Sequence, residues 1–102
     1  MEILAEHHPD KSAIIINKNK LIGIENEMFQ TLVLESIEKG SKTVTINLAN
    51  VEYVTSWGIG ILVHGYTTCI NRSVNFNIMN VNENVMHVLH QTKLDKLFEI
   101  IY

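Results

Sequence analysis

A change of period along one stretch constrains this chain more than any other feature. From Thr43 to Leu48 the residues alternate, with Val44, Ile46 and Leu48 on one side and Thr43, Thr45 and Asn47 on the other. That is the period of a half-buried strand. Past Ser56 the apolar residues recur at three- and four-residue steps: Ile59, Leu62, Val63, Tyr66, Cys69 and Ile70. That is one stripe of a helix. Between the two lies Val51-Glu52-Tyr53-Val54-Thr55-Ser56-Trp57-Gly58-Ile59-Gly60. A hydroxyl at the mouth of a helix accepts a hydrogen bond from a free N–H of the first turn, so Thr55 or Ser56 is the N-cap. The plain reading is a cap worth about 1 kcal/mol. The sharper one is a hydroxyl displayed at the positive end of a helix.

The rest of the chain repeats the alternation. Strands are expected at Glu2 to Glu6 and Ala13 to Asn17, joined through the turn residues Pro9-Asp10-Lys11-Ser12 into an antiparallel hairpin. Asn17-Lys18-Asn19-Lys20 reads as a solvated, charged edge. Ile24, Met28, Phe29, Leu32, Val33 and Ile37 give a helix over 25–38, closed by Gly40 as a C-terminal cap. Val74, Phe76 and Ile78 alternate with Asn75 and Asn77 as a further strand. A third helix opens at 81–84, with Val85, Val88 and Leu89 inward, and Leu94 and Leu97 continue the apolar set. A last strand is expected within 98–102. Strands alternating with helices imply a parallel sheet. A sheet covered on both faces would show unbroken apolar runs. The clean alternation therefore puts the helices mainly on one face, in an α/β fold with a mixed, mostly parallel sheet.

Composition narrows the function classes. The 102 residues suit one domain, 1–102, with enough buried surface to need neither metal nor disulfide. A net charge of −3 and eight scattered Lys and Arg argue against nucleic acid. The single cysteine, Cys69, lies on an apolar stripe and reads as a core residue. There is neither a signal-peptide pattern nor an 18-residue apolar run, so no membrane role is expected and the chain is placed in the cytoplasm.

The turn resembles the signature of the STAS domain, the fold of bacterial anti-sigma-factor antagonists, where it usually reads Asp-Ser-Ser/Thr-Gly-Leu-Gly. Here Thr55 stands at the Asp and Trp57 at a small residue. Thr92-Lys93-Leu94-Asp95-Lys96-Leu97-Phe98 is similar to a Thr-Gly-Leu-Asp-Lys-Leu-Phe run near the family's C-terminus, with Lys93 at the glycine. The resemblance spans nearly the whole chain in pattern and two short motifs in detail. It implies a non-enzymatic protein-binding module that sequesters an anti-sigma factor that is also a serine kinase. Ser56 falls on the phosphorylated serine, with Thr55 as the alternative acceptor, and phosphorylation releases the partner. ATP and Mg²⁺ belong to that partner, so no cofactor is expected on this chain, which is taken as a monomer or weak homodimer. At 100° per residue, Trp57, Ile61, His64 and Thr68 fall opposite the apolar stripe of their helix, unless the first helix leans over and covers Ile61. The candidate partner-binding set is Thr55, Ser56, Trp57, Gly58, Ile61 and His64, with Trp57 exposed as the anchor.

Other chemistries fit less well. A serine hydrolase would use Ser56 with a base from His64, His87 or His90. Its nucleophile elbow needs a glycine where Val54 stands. His87 and His90, with His64, could supply three nitrogens to zinc, but no acidic or cysteine cluster joins them, and His7-His8 is equally unspecific. Gly58, Gly60 and Gly65 do not make a nucleotide loop, and no Walker lysine follows. The remaining alternative is a STAS-like scaffold subunit of a signalling or lipid-transport assembly, with Ser56 structural.

Overall fold

Two residues, Pro9 and Asp10, turn the chain back on itself. Asp10 takes the left-handed conformation that such a tight corner needs (φ 70°). The computed structural model describes residues 2–102. β1 (Ile3–His8) pairs antiparallel with β2 (Lys11–Ile16), in register from Ile3–Ile16 to His8–Lys11. β3 (Lys20–Leu21), α1 (Asn26–Glu38), β4 (Thr43–Asn47), β5 (Tyr53–Val54), α2 (Ser56–Asn71), β6 (Asn75–Met79), α3 (Glu83–Gln91) and β7 (Glu99–Ile101) follow. The main sheet has the order β1-β2-β4-β6-β7 and is parallel from β2 onward. β3 and β5 form a separate parallel pair.

The register explains the alternation. Ile14, Ile46 and Ile78 lie side by side across three strands and are fully buried. Each such side chain contributes about 1.5–3 kcal/mol of hydrophobic stabilisation. Ala13, Thr45 and Asn47 point to the other face and are half-buried. α1 packs on β1, β2 and β4, and α2 packs on β6 and on α1. Asn77, on the open side, is buried, and its amide donates to Glu99 of β7 (3.2 Å).

Four sequence expectations need correction. Ile24 precedes α1, which begins at Asn26, and is 78% exposed; Met28 is exposed too, and the inward stripe is Phe29, Val33 and Ser36. Ile70 and Leu97 are exposed rather than inward. Ile61 is only 2% exposed, because α2 is covered on two sides. α1 crosses it so closely that a Cβ on Gly65 would lie 2.6 Å from the Phe29 ring. Lys18, expected in a solvated edge, is half-buried and paired with the buried Glu25. The burial of Cys69 agrees with its core reading, and burial pushes its thiol up to about 11.

The helix ends share one device. After α1, Gly40 (φ 91°) donates to Ile37 and Ser41 donates to Ser36, the two bonds of a Schellman cap. After α3, Lys93 (φ 62°) donates to His90 and Leu94 donates to Leu89 in the same pattern. Lys93 is thus a non-glycine residue in a conformation that disfavours a Cβ. Lys93→Gly is expected to raise stability by about 0.5–1 kcal/mol in a urea melt. A destabilised Lys93→Gly would contradict this reading of the cap.

Candidate functional site: the first turn of the second helix

β5 is only two residues long because its job is to deliver the chain to α2. Thr55 leaves it in an extended conformation (φ −94°, ψ 173°) and caps the helix: its Oγ1 accepts from the Gly58 N–H (3.1 Å). The same hydroxyl donates to the Ile22 carbonyl (3.2 Å), and the Thr55 N–H donates to the Leu21 carbonyl (3.1 Å). Both functions of this hydroxyl are therefore in use. Ser56 is the first helical residue and is exposed; among the described residues nothing hydrogen-bonds its hydroxyl. The N–H groups of Ser56 and Trp57, in the first turn, have no intrahelical partner. The site is thus an uncommitted hydroxyl at the positive end of a helix dipole.

A ledge from the β3–α1 connection supports this turn. Gly58 sits so close to it that a Cβ would lie 2.0 Å from the Leu21 carbonyl oxygen. Gly23, in a left-handed conformation (φ 123°), lets the loop pass the stem of Trp57: a Cβ there would lie 2.8 Å from the Trp57 Cβ. Trp57 as a whole is nonetheless 79% exposed. Beside it is a shallow depression of about 300 Å³ lined by Gly23, Asn26, Trp57, Gly60, Ile61 and His64.

Of the six residues expected to meet a partner, Thr55, Ser56, Trp57 and His64 are exposed on this surface. Gly58 and Ile61 are buried, the first against Leu21 and the second beneath α1; they shape the surface rather than present atoms to it. His64 Nδ1 faces the Asn26 side-chain oxygen (3.4 Å), not Ser56. Among the described residues no three His, Cys, Asp or Glu side chains are grouped to hold a metal ion, and His90 is paired with Asp95 (3.0 Å).

Sequence reasoning missed the ion pair behind the ledge. Glu25 is a buried carboxylate paired with Lys18, and its Oε1 accepts from Ile22 N–H (3.1 Å) and Gly23 N–H (2.9 Å). Burial alone would raise the Glu25 carboxyl. The Lys18 ammonium and the N–H groups of Gly23, Glu25 and Ile22 outweigh it and hold the group below its ordinary 4.5. The hydrogen bond to Glu25 in turn raises Lys18 above 10.5. A depressed acid stabilises the fold above its unfolded value, and a raised base does so below its own. The pair thus contributes fully between those limits. Its contribution is lost as pH falls through the folded Glu25 value or rises through the folded Lys18 value. A carboxylate just before the apolar run at 28–37 was the one available signal, and Lys18, seven residues away, carried none.

This fold and turn define a small α/β domain that displays an exposed serine at the first turn of its second helix. The family model for the STAS domain matches residues 2–102, and the chain belongs to that family. A Thermotoga maritima protein carrying the provisional name anti-sigma factor antagonist is 30% identical over 89 residues, spanning 85% of this chain and 79% of the relative. A crystal structure from the same organism, under the same provisional name, superposes with a TM-score of 0.76 at 27% identity. It covers 96% of this chain and 84% of its own. The anti-sigma factor antagonist SpoIIAA in its unphosphorylated form gives a TM-score of 0.72, covering 98% and 87%, at 13% identity, which shows a shared fold alone. SpoIIAA has also been solved in a phosphorylated form.

Proposed function

We propose that this chain is a phosphorylation-switched anti-sigma-factor antagonist. Unphosphorylated, it binds an anti-sigma factor that is also a serine kinase; phosphorylation of Ser56 by that kinase releases it. The observation that carries the reading is the division of labour between neighbouring hydroxyls. Thr55 is committed to the cap and the ledge, whereas Ser56 is exposed and free. That favours Ser56 over Thr55 as the acceptor. It also speaks against a purely structural Ser56 in a scaffold subunit, because Thr55 already caps the helix.

A phosphate on Ser56 adds about −1.5 to −2 charges at neutral pH. The free N–H groups and the dipole of α2 tolerate that charge, so the fold survives. A partner packed on Trp57 would instead meet a poorly solvated dianion, and binding fails. ATP and Mg²⁺ are the kinase's, and the antagonist works beside it in the cytoplasm. Ser56→Glu places one negative charge at the same helix end. Stability is expected to change by under about 1 kcal/mol, while affinity for the captured kinase falls at least about tenfold, or 1.4 kcal/mol. A strongly destabilised Ser56→Glu that binds normally would overturn the switch.

A further inference from the structure

We infer that the Lys18–Glu25 pair is the positioning device of this turn: it fixes the Ile22–Gly23 ledge that holds Thr55 and Trp57, and so sets how Ser56 is presented. The inference rests on the phosphoswitch reading for its functional meaning, and on bond geometry for its mechanism. One Glu25 oxygen takes both the Ile22 and the Gly23 N–H, and the other faces Lys18. Ile22 hands its carbonyl to the Thr55 hydroxyl and Leu21 gives its own to the Thr55 N–H. Gly23 lies against the Trp57 stem. Every link from Lys18 to the residues flanking Ser56 is a hydrogen bond or a close contact. The side chains of Glu25 and Lys18 are only 3% and 16% exposed, whereas Glu2, 3.8 Å from Lys18, is mostly exposed and adds little.

Energetics point the same way. A buried ion pair competes poorly in net stability with apolar residues of similar volume, and its best-attested use is to fix one geometry among several. The geometry fixed here is that of a short loop whose own N–H groups at Ile22 and Gly23 are both taken by Glu25, while its carbonyls go to Thr55 and to the Asn26 N–H (3.2 Å). Ile22 and Ile24 are exposed, and β3 is two residues long.

Amide hydrogen exchange on the whole protein, followed by NMR, tests this without any kinase. Glu25→Gln keeps an oxygen for the ledge N–H groups but leaves Lys18 without its counter-ion. Thr55 and Gly58 amides, whose acceptors are the Leu21 carbonyl and the Thr55 hydroxyl, are expected to exchange at least about tenfold faster, through local opening. The Ile14, Ile46 and Ile78 amides should stay close to wild type. Lys18→Arg, which retains the charge, should leave Thr55 and Gly58 close to wild type as well. If Glu25→Gln does not fold, the double variant Lys18→Met/Glu25→Gln, with both charges removed, gives the same readout. Exchange at Thr55 and Gly58 that is unchanged, or that rises only in step with the core amides, would overturn the inference and leave the Ser56 switch standing. Selective loosening with no phosphate ever found on Ser56 would leave the clamp and remove the switch.

Discussion

Gly58→Ala is expected to cost at least about 3 kcal/mol of stability, because the added carbon has nowhere to go. It would sit 2.0 Å from the Leu21 carbonyl oxygen, which belongs to the backbone and also accepts the Thr55 N–H. Relieving the clash moves β3 away from α2 and breaks that bond together with the Ile22 contact to the Thr55 hydroxyl. Gly60 supplies the control two residues on. It is exposed, in the same helix, and a Cβ added there would meet nothing within 4 Å. Gly60→Ala should therefore stabilise by up to about 1 kcal/mol through helix propensity alone. Urea melts of the two variants are expected to move in opposite directions. A Gly58→Ala protein that melts within about 1 kcal/mol of wild type would mean that the turn is not wedged against its ledge as described.

The second large effect is on binding. Trp57→Ala is expected to weaken the complex with the proposed anti-sigma-factor partner by at least about 2 kcal/mol, the scale of interface hot spots, while leaving the melt nearly unchanged. Trp57 is 79% exposed, so loss of its ring opens no cavity in the core. Its Cβ lies against Gly23, at the edge of the depression lined by Asn26, Ile61 and His64. It also adjoins Ser56, which would bring the apolar contact within reach of the phosphate charge in the proposed switch. Titration of the captured kinase against wild type and variant measures this directly. A Trp57→Ala protein that binds normally would take the anchor out of the mechanism.

The sheet was legible because its alternation is a local property with a global cause. Val44, Ile46 and Leu48 each report the side on which the helices lie, and no neighbouring element had to be known. The hairpin was legible for the same reason, through Pro9 and Asp10. What periodicity left open or missed was set by a second layer. Ile61 sits on the side of α2 that a lone amphipathic helix would expose, and only the crossing of α1, with Phe29 over Gly65, buries it. Ile24 shares the period of α1 but not its helix, which starts two residues later. Lys18 and Glu25 find each other across a loop, and periodicity carries no signal for such a pair. The candidate site was legible in its position, at the strand-to-helix turn. The roles within it were not: either Thr55 or Ser56 fitted as cap, and the Leu21 and Ile22 carbonyls, contributed by β3 and the residue after it, are what commit Thr55 and leave Ser56 free.

The most direct measurement is a phosphate map. The protein is incubated with ATP, Mg²⁺ and the kinase it captures from its source cell, and the modified residue is located by mass spectrometry in wild type and in Ser56→Ala. The expected result is a single phosphate on Ser56 in the wild type and none in the variant, with Thr55 unmodified in both. A phosphate that persists undiminished in Ser56→Ala, on Thr55 or elsewhere, would contradict the proposed switch.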